Sequence, residues 1–315
     1  MSAVPGSAAC GTCSVIVRPR PNWLRMLFVR RGSLLLQILP QLSVIFAISI
    51  GVVTFHGELL NRKITLTAVP FSLVGVALAI FLGFRNSASY DRYWEARKLW
   101  GKLLTDGRNA ARQYVSFTRE DPRAFVQGLA AFVHATRHQL RNTDPWPDLR
   151  RLLPPELLPR LAERRTPALQ ILMWLAERLR DDREAGRIDP ILAAELDRSL
   201  GGLNDALGGC ERIAYTPLPF TYSVILHRTV YIYCLMLPFG LLDAIGVMTP
   251  LMVTFVAYTF FAIEALSDEI EEPFGTMPND LALNAMAITI EAALLEMLGE
   301  RELPPKPQPV NCFLD

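Results

Sequence analysis

Four apolar stretches interrupt an otherwise charged chain. They cover residues 34–53, 64–84, 220–242 and 247–266. Each is about 20 residues long, which is enough for a helix to cross a hydrocarbon layer of about 30 Å. The first two are joined by residues 54–63 and the last two by residues 243–246. Links this short predict two antiparallel hairpins of transmembrane helices.

The central part of the chain has a different pattern. Residues 85–211 are rich in charge and repeat apolar residues every three to four positions, which is typical of amphipathic helices. Asp189 followed by Pro190 predicts a helix start, with Asp189 as the N-cap. The sequence lacks the strict alternation that half-buried strands need. We therefore expect an all-α membrane protein with four transmembrane helices per subunit and a helical cytosolic region.

These patterns divide the chain into six parts. They are a flexible N-terminal tail at 1–17, an N-terminal segment with the first transmembrane hairpin at 18–84, a cytosolic helical region at 85–217, the second transmembrane hairpin at 218–268, a cytosolic loop with the C-terminal helix at 269–299, and a disordered, Pro-rich tail at 300–315.

Positive charges indicate how the hairpins are oriented. Five arginines precede the first apolar stretch, and a further group of Arg and Lys follows the second. The link at residues 243–246 carries no positive charge. Because loops rich in Lys and Arg stay on the cytoplasmic side, both termini and the central region are predicted to be cytoplasmic.

Net charge and cysteine content narrow the function further. The formal net charge is +1, and no basic patch is interleaved with aromatic residues, so no nucleic acid partner is expected. Five cysteines are an odd number and do not indicate a disulfide framework. Cys10 and Cys13 form a CxxC pair that has a redox or metal interpretation, but a flexible tail is the simpler one.

One face of the second apolar stretch is a candidate functional surface. Val76, Ile80 and Phe84 recur at a spacing of four and so share one helical face. The ordinary interpretation is a lipid-exposed or packed helix. The alternative is a pore lining, in which rings of apolar side chains from several copies gate by dewetting. In that case a wet vestibule follows, and its candidate lining residues are Arg85, Asn86, Ser87 and Ser89.

The third apolar stretch contains two basic residues. His227 and Arg228 interrupt the third apolar stretch and need partners there, for which Asp243, Glu264 and Asp268 are candidates. A structural ion pair is the preferred interpretation, with a transport role as the alternative.

His134 and His138 form an HxxxH pair on a predicted helix, and two imidazoles at that spacing can share a metal ion. The sequence offers no clear third ligand, so the pair is only a weak metal candidate. No catalytic array and no phosphate-binding loop is evident. We therefore expect neither an enzyme nor a cofactor.

Three motifs together resemble one family. They are "FLGFRNSASYDRYWEARKLWG" at residues 81–101, "CERIAYTPLPFTY" at 210–222 and "EIEEPFGTMPNDLAL" at 269–283. In combination they resemble the bacterial branch of the bestrophins, over nearly the whole chain. The resemblance implies a homopentamer in a bacterial inner membrane, with one ion-conducting pore on the fivefold axis.

The resemblance also implies where the pore is narrow. Val76, Ile80 and Phe84 match the three apolar rings of the family's neck, and Ile213 matches its cytosolic aperture. Eukaryotic members hold calcium with a run of acidic residues after "PFG", where this sequence offers only Asp280. Calcium prefers six or more oxygen ligands, so no calcium clasp is expected.

The permeant ion and two competing functions stay open at this point. An apolar neck carries no fixed charge, so the sign of the ion must be selected elsewhere. We favour monovalent cations, with chloride as the alternative. A membrane scaffold or regulatory subunit without conduction is a competing function, and a membrane-bound enzyme is a further one.

Overall fold

The computed structural model describes residues 15–16, 34–55, 58–59, 62–63, 66–309 and 313–314. Ten α-helices make up most of these residues. They are α1 (Leu35–Thr54), α2 (Ala68–Phe117), α3 (Arg123–Arg141), α4 (Trp146–Leu152), α5 (Leu158–Ala162), α6 (Pro167–Glu184), α7 (Pro190–Tyr215), α8 (Phe220–Ile245), α9 (Thr249–Glu271) and α10 (Leu283–Met297).

Extended structure in the described residues is limited to four two-residue strands. β1 (Val15–Ile16) pairs antiparallel with β4 (Phe313–Leu314), and β2 (Glu58–Leu59) pairs antiparallel with β3 (Arg62–Lys63). The expectation of an all-helical fold is therefore confirmed. Most of the predicted flexible tail, including Cys10 and Cys13, lies outside the described residues.

α2 is a single helix of 50 residues, from Ala68 to Phe117. After Pro70 it contains no proline, so no backbone hydrogen bond is lost to a missing N–H. At about 1.5 Å per residue it is roughly 75 Å long, more than twice the thickness of a hydrocarbon layer. The change from apolar to charged sequence near Phe84 therefore occurs inside one continuous helix.

The chain forms two compact units. The spanning unit comprises Pro19–Tyr93 and Pro217–Glu272, and the charged unit comprises Met1–Arg18, Trp94–Thr216 and Pro273–Asp315. The division falls after Tyr93, within α2. The boundaries of the six parts defined from the sequence, including the boundary after residue 84, stay predictions.

The core of the spanning unit is built from four helices. α1, α2, α8 and α9 contribute one buried apolar cluster. Its members are Ile38, Leu42, Ile45, Leu78, Leu82, Val230, Cys234, Leu237, Val253, Ala257, Phe260 and Phe261. Gly75 allows a close approach within this unit, because an added Cβ would lie 2.8 Å from the Tyr233 hydroxyl.

Among the described residues, three stretches are long and apolar enough to cross a membrane: Leu35–Thr54, Ala68–Phe117 and Phe220–Glu271. The third contains both α8 and α9, which are separated by a 3₁₀ turn at Gly246–Met248. Gly246 in that turn has a φ of 54°, a left-handed value that glycine adopts without strain.

The core of the charged unit is centred on α3, which packs against α6, α7 and α10. Phe125, Leu129 and Phe132 of α3 are fully or almost fully buried. Tyr114 of α2 stacks on Phe125 with ring centroids 3.9 Å apart, and its hydroxyl donates to Asp182 of α6 at 2.5 Å.

Gly128→Ala is expected to destabilise this core by about 1–3 kcal/mol, the usual cost of overpacking. A Cβ at Gly128 would lie 2.6 Å from Trp174 and 2.9 Å from Leu175. Gly208→Ala is the matched control, because an added Cβ there meets nothing within 4 Å and alanine favours a helix. Thermal unfolding of the purified chain in detergent should show a lower Tm for the first variant only; equal values would contradict close α3–α6 packing.

Candidate functional site

The front face of α2, defined here as Val76, Ile80, Phe84 and Ser87, is exposed. The three apolar side chains have exposed fractions of 62%, 53% and 64%. Ser87 lies eleven residues after Val76, and at about 100° per residue it returns to almost the same direction. One apolar strip that ends in a hydroxyl therefore faces away from the core of the spanning unit.

The opposite, back face of α2 is buried. Leu78 and Leu82 belong to the apolar cluster of the spanning unit. One turn further on, Arg85 and Ser89 occupy the same face, with exposed fractions of 3% and 0%. The back face thus changes from apolar to polar at the level where Phe84 ends the apolar part of the front face.

Arg85 is held by the C-terminal end of α9. Its guanidinium forms an ion pair with Asp268 and lies 3.6 Å from a carboxylate oxygen of Glu271. The other oxygen of Glu271 accepts a hydrogen bond from the backbone N–H of Leu218 at 3.2 Å. Arg92 donates to the backbone carbonyl of Glu271 at 3.1 Å. The buried charge of Arg85 is therefore compensated within the spanning unit.

The vestibule prediction needs a correction. Arg85 and Ser89 are buried on the back face, so they do not lie beside the front face. Asn86 is half-buried, and its side-chain oxygen lies 3.4 Å from the Ser267 hydroxyl. Ser87 is exposed and shares the front face. Four residues this close together in a helix point in different directions, so only Ser87 fits the predicted place.

Ile213 also differs from its expected setting. A residue that lines an aperture should be exposed in the isolated subunit, whereas the exposed fraction of Ile213 is 3%. Its neighbours Arg212 and Tyr215 are exposed at the end of α7. Ile213 is part of the helix face that packs inside the charged unit, and its place in an aperture ring stays a prediction.

One of the two basic residues in the third apolar stretch, His227, contacts an expected partner, Glu264. His227 Nδ1 lies 2.7 Å from a carboxylate oxygen of the buried Glu264 on α9. The His227 ring also packs on Tyr231, with centroids 4.4 Å apart. Arg228 is exposed, and Asp268 pairs with Arg85 rather than with Arg228. The His227–Glu264 pair fits the structural interpretation of these residues.

His134 and His138 belong to a charged cluster between α3, α4 and α10. His134 donates from Nε2 to Glu291 at 2.7 Å, and His138 donates from Nε2 to Asp148 at 3.0 Å. Arg137 donates to Asp148 at 2.7 Å, and Arg151 binds Glu291. Two carboxylates are thus already shared among four basic side chains.

The two carboxylates of this cluster are stabilised in their ionised form. Burial opposes ionisation of Glu291, but hydrogen bonds from Arg151 and His134 outweigh it and lower its pKa to about 2. Burial likewise opposes ionisation of Asp148, but the hydrogen bond from His138 and nearby positive charges lower its pKa to about 2. Burial also lowers the pKa of His138.

Metal sites find little support in the part of the chain that the structure describes. There, no group of three or more His, Cys, Asp and Glu side chains is arranged to hold a metal ion. Arginine also occupies the space beside His134 and His138, which disfavours a cation. The carboxylate of Asp280 accepts a hydrogen bond from the Met277 N–H at 2.6 Å and so closes a turn. The expectation of no calcium clasp stays a prediction.

Sequence reasoning missed the partners of Arg85 and of His134. The spacing of Asp268 and Glu271 places both on one face of α9, and Arg85 and Arg92 also share a face of α2, so a charged seam was detectable as a pattern. Glu291 lies 157 positions from His134, and no local pattern joins them.

Comparison with known proteins decides the family. The family described as "Bacterial/Fungal Bestrophin protein" matches residues 15–296. The chain belongs to the bestrophin family. The resemblance inferred from the three motifs is thereby confirmed, and the family match together with the apolar helices identifies this bestrophin as a membrane protein.

Relatives of this bestrophin are similar over almost their full length. The voltage-dependent anion channel-forming protein RSc3414 of Ralstonia nicotianae is 51% identical over 294 residues, which cover 92% of this chain and 96% of the relative. The voltage-dependent anion channel-forming protein YneE of Escherichia coli K12 is 44% identical and covers 93% of this chain and 97% of the relative. These names describe channels rather than enzymes, in agreement with the prediction.

A solved structure is similar in fold as well. The crystal structure of a bacterial bestrophin homologue from Klebsiella pneumoniae has a TM-score of 0.81 and 44% sequence identity. The match covers 84% of this bestrophin and 100% of that chain.

Proposed function

We propose that this bestrophin forms a homopentameric channel that conducts monovalent ions across a bacterial inner membrane. Each subunit contributes four transmembrane helices, α1, α2, α8 and α9. Both termini and the charged unit are cytoplasmic. The front faces of five α2 helices surround the axis of the pore.

The observation that carries this proposal is the exposure of the front face. Val76, Ile80 and Phe84 present apolar side chains away from their own subunit, directly before the hydroxyl of Ser87. In a pentamer these positions give three stacked apolar rings. An ion that enters them loses hydration water and gains no replacement ligand, so the rings act as a neck that gates by dewetting.

A second constriction is proposed at the end of α7. The exposed Tyr215, with an exposed fraction of 63%, replaces the buried Ile213 as the residue that lines it. Ser87 begins the wet space beyond the neck. Exposed residues of two different helices, α2 and α7, are thus proposed for the roles that the family resemblance assigns to the neck and the aperture.

The sign of the permeant ion has two candidates. The neck carries no fixed charge, and Arg85 behind it is compensated by Asp268 and Glu271. The sequence prediction favours monovalent cations. The names of the relatives, which call them anion channel-forming, favour chloride for this chain as well.

Reconstitution in planar bilayers with asymmetric NaCl tests both proposals. A channel gives discrete current steps, and the reversal potential moves toward the equilibrium potential of the permeant ion. Under the cation proposal it moves toward the sodium potential; a shift toward the chloride potential would establish the anion candidate. Absence of current from protein that is pentameric by light scattering in mild detergent would favour a scaffold, and a monomeric mass would remove the pore.

A further inference from the structure

The contacts behind Phe84 connect three segments of the spanning unit. Arg85 of α2 binds Asp268 and approaches Glu271 of α9, and Glu271 accepts the backbone N–H of Leu218. These four residues are called the Arg85 clamp below. Leu218 lies in the link between α7 and α8.

Arg85 depends on the two carboxylates of the clamp because its own charge is buried. Its exposed fraction is 3%, and a buried guanidinium needs negative charge close to it. Asp268 and Glu271 are three residues apart on α9, so both carboxylates face the same neighbour. One nitrogen of the guanidinium makes both contacts, as a hydrogen-bonded ion pair with Asp268 and as a 3.6 Å charge contact with Glu271.

The geometry of a helix relates this clamp to the neck. Arg85 follows Phe84, so the two side chains differ by about 100° around the axis of α2. A guanidinium fixed to α9 therefore fixes the direction in which Phe84, Ile80 and Val76 point. Rotation of α2 that turns Phe84 away from the front face must pull Arg85 out of its two carboxylates.

The link between α7 and α8 contacts this arrangement through its backbone. Its sequence is Pro217-Leu218-Pro219, and proline has no N–H. Leu218 therefore supplies the one backbone donor of this tripeptide, and that donor goes to Glu271. Glu271 is shared by the link and by Arg85, so displacement of the link alters the position of a carboxylate that holds α2.

We propose that Arg85 is the positioning residue of the neck: through Asp268 and Glu271 it sets the rotation of α2 and couples it to the link at residues 217–219. The inference rests on the proposed channel function. It assigns Arg85 a role on the back of the helix rather than in the pore.

Single-channel recording of Arg85→Gln, Arg85→Lys and wild type tests the proposal. We expect Arg85→Gln to change the open fraction by at least about tenfold, the effect on an equilibrium of losing one charge-assisted hydrogen bond. Arg85→Lys should restore part of the wild-type open fraction, because lysine keeps the positive charge but lacks the planar guanidinium. Arg108→Gln is the control, since Arg108 is exposed on the same helix.

A second variant covers the case in which Arg85→Gln does not assemble. Glu271→Gln keeps an acceptor for the Leu218 N–H and removes the charge that attracts Arg85, so it should shift the open fraction in the same direction. If wild type conducts and Glu271→Gln gates like wild type, the inference is overturned while the channel stands. If wild type itself carries no current in the pentameric state, the proposed function fails first.

Discussion

Current through the reconstituted protein is expected to rise when Val76, Ile80 and Phe84 are all replaced by alanine. The substitution widens three apolar rings, so an ion keeps more of its hydration water as it passes. An increase of roughly tenfold corresponds to lowering the barrier by about 1.4 kcal/mol. Planar bilayer recording in symmetric NaCl measures the change directly.

Phe255→Ala is the matched control for this result. Phe255 of α9 and Phe84 of α2 have the same exposed fraction, 64%, and both lie in apolar helices. Only Phe84 belongs to the front face of α2. The mass of each variant in mild detergent should equal that of wild type. Equal currents from wild type and the triple variant, both pentameric, would exclude a neck formed by this face.

Glu291→Gln is expected to lower the free energy of unfolding at pH 7 by about 3 kcal/mol. The carboxylate is almost fully buried, and its pKa is lowered from 4.5 to about 2 by hydrogen bonds from Arg151 and His134 that outweigh its burial. A change of that size in pKa corresponds to about 3 kcal/mol of stabilisation. Thermal unfolding of the full chain in detergent should show a clearly lower Tm.

The same variant should alter the dependence of stability on pH. A carboxylate whose pKa is lowered by folding stabilises the fold fully above its unfolded pKa, here 4.5, and loses that contribution as pH falls toward about 2. Wild type should therefore lose stability steeply across this interval, and Glu291→Gln less so. Glu195→Gln is the control, because Glu195 pairs with Arg198 on the surface. Identical slopes for Glu291→Gln and wild type would contradict the assigned ion pairs.

The apolar stretches and the front face were predictable from the sequence for a physical reason. A helix in hydrocarbon needs about 20 apolar residues, and this requirement is visible in any single chain. The face shared by Val76, Ile80 and Phe84 follows from helical periodicity alone. Both features depend on residues close to one another in the chain.

The burial and the partners of some residues were not predictable from local sequence. Examples are Arg85, Ile213 and Glu291. Periodicity places Arg85 opposite Val76, yet its charge suggested water, and only the carboxylates of α9 explain its burial. The burial of Ile213 depends on which face of α7 meets the other helices of the charged unit. Glu291 meets His134 across 157 positions of sequence. Each outcome is decided by tertiary contacts between distant segments.

Because α2 is one continuous helix, the number of residues between two of its positions sets the angle between their side chains. Arg85 must point into the spanning unit, and Trp100, which is fully buried, must point into the charged unit. An insertion or deletion of one residue between them turns one of these side chains by about 100° around the axis of α2 relative to the other. A change of seven residues, close to two whole turns, alters that angle by only about 20°. Variation in the length of residues 85–100 should therefore occur in steps close to whole turns, while their individual surface residues vary.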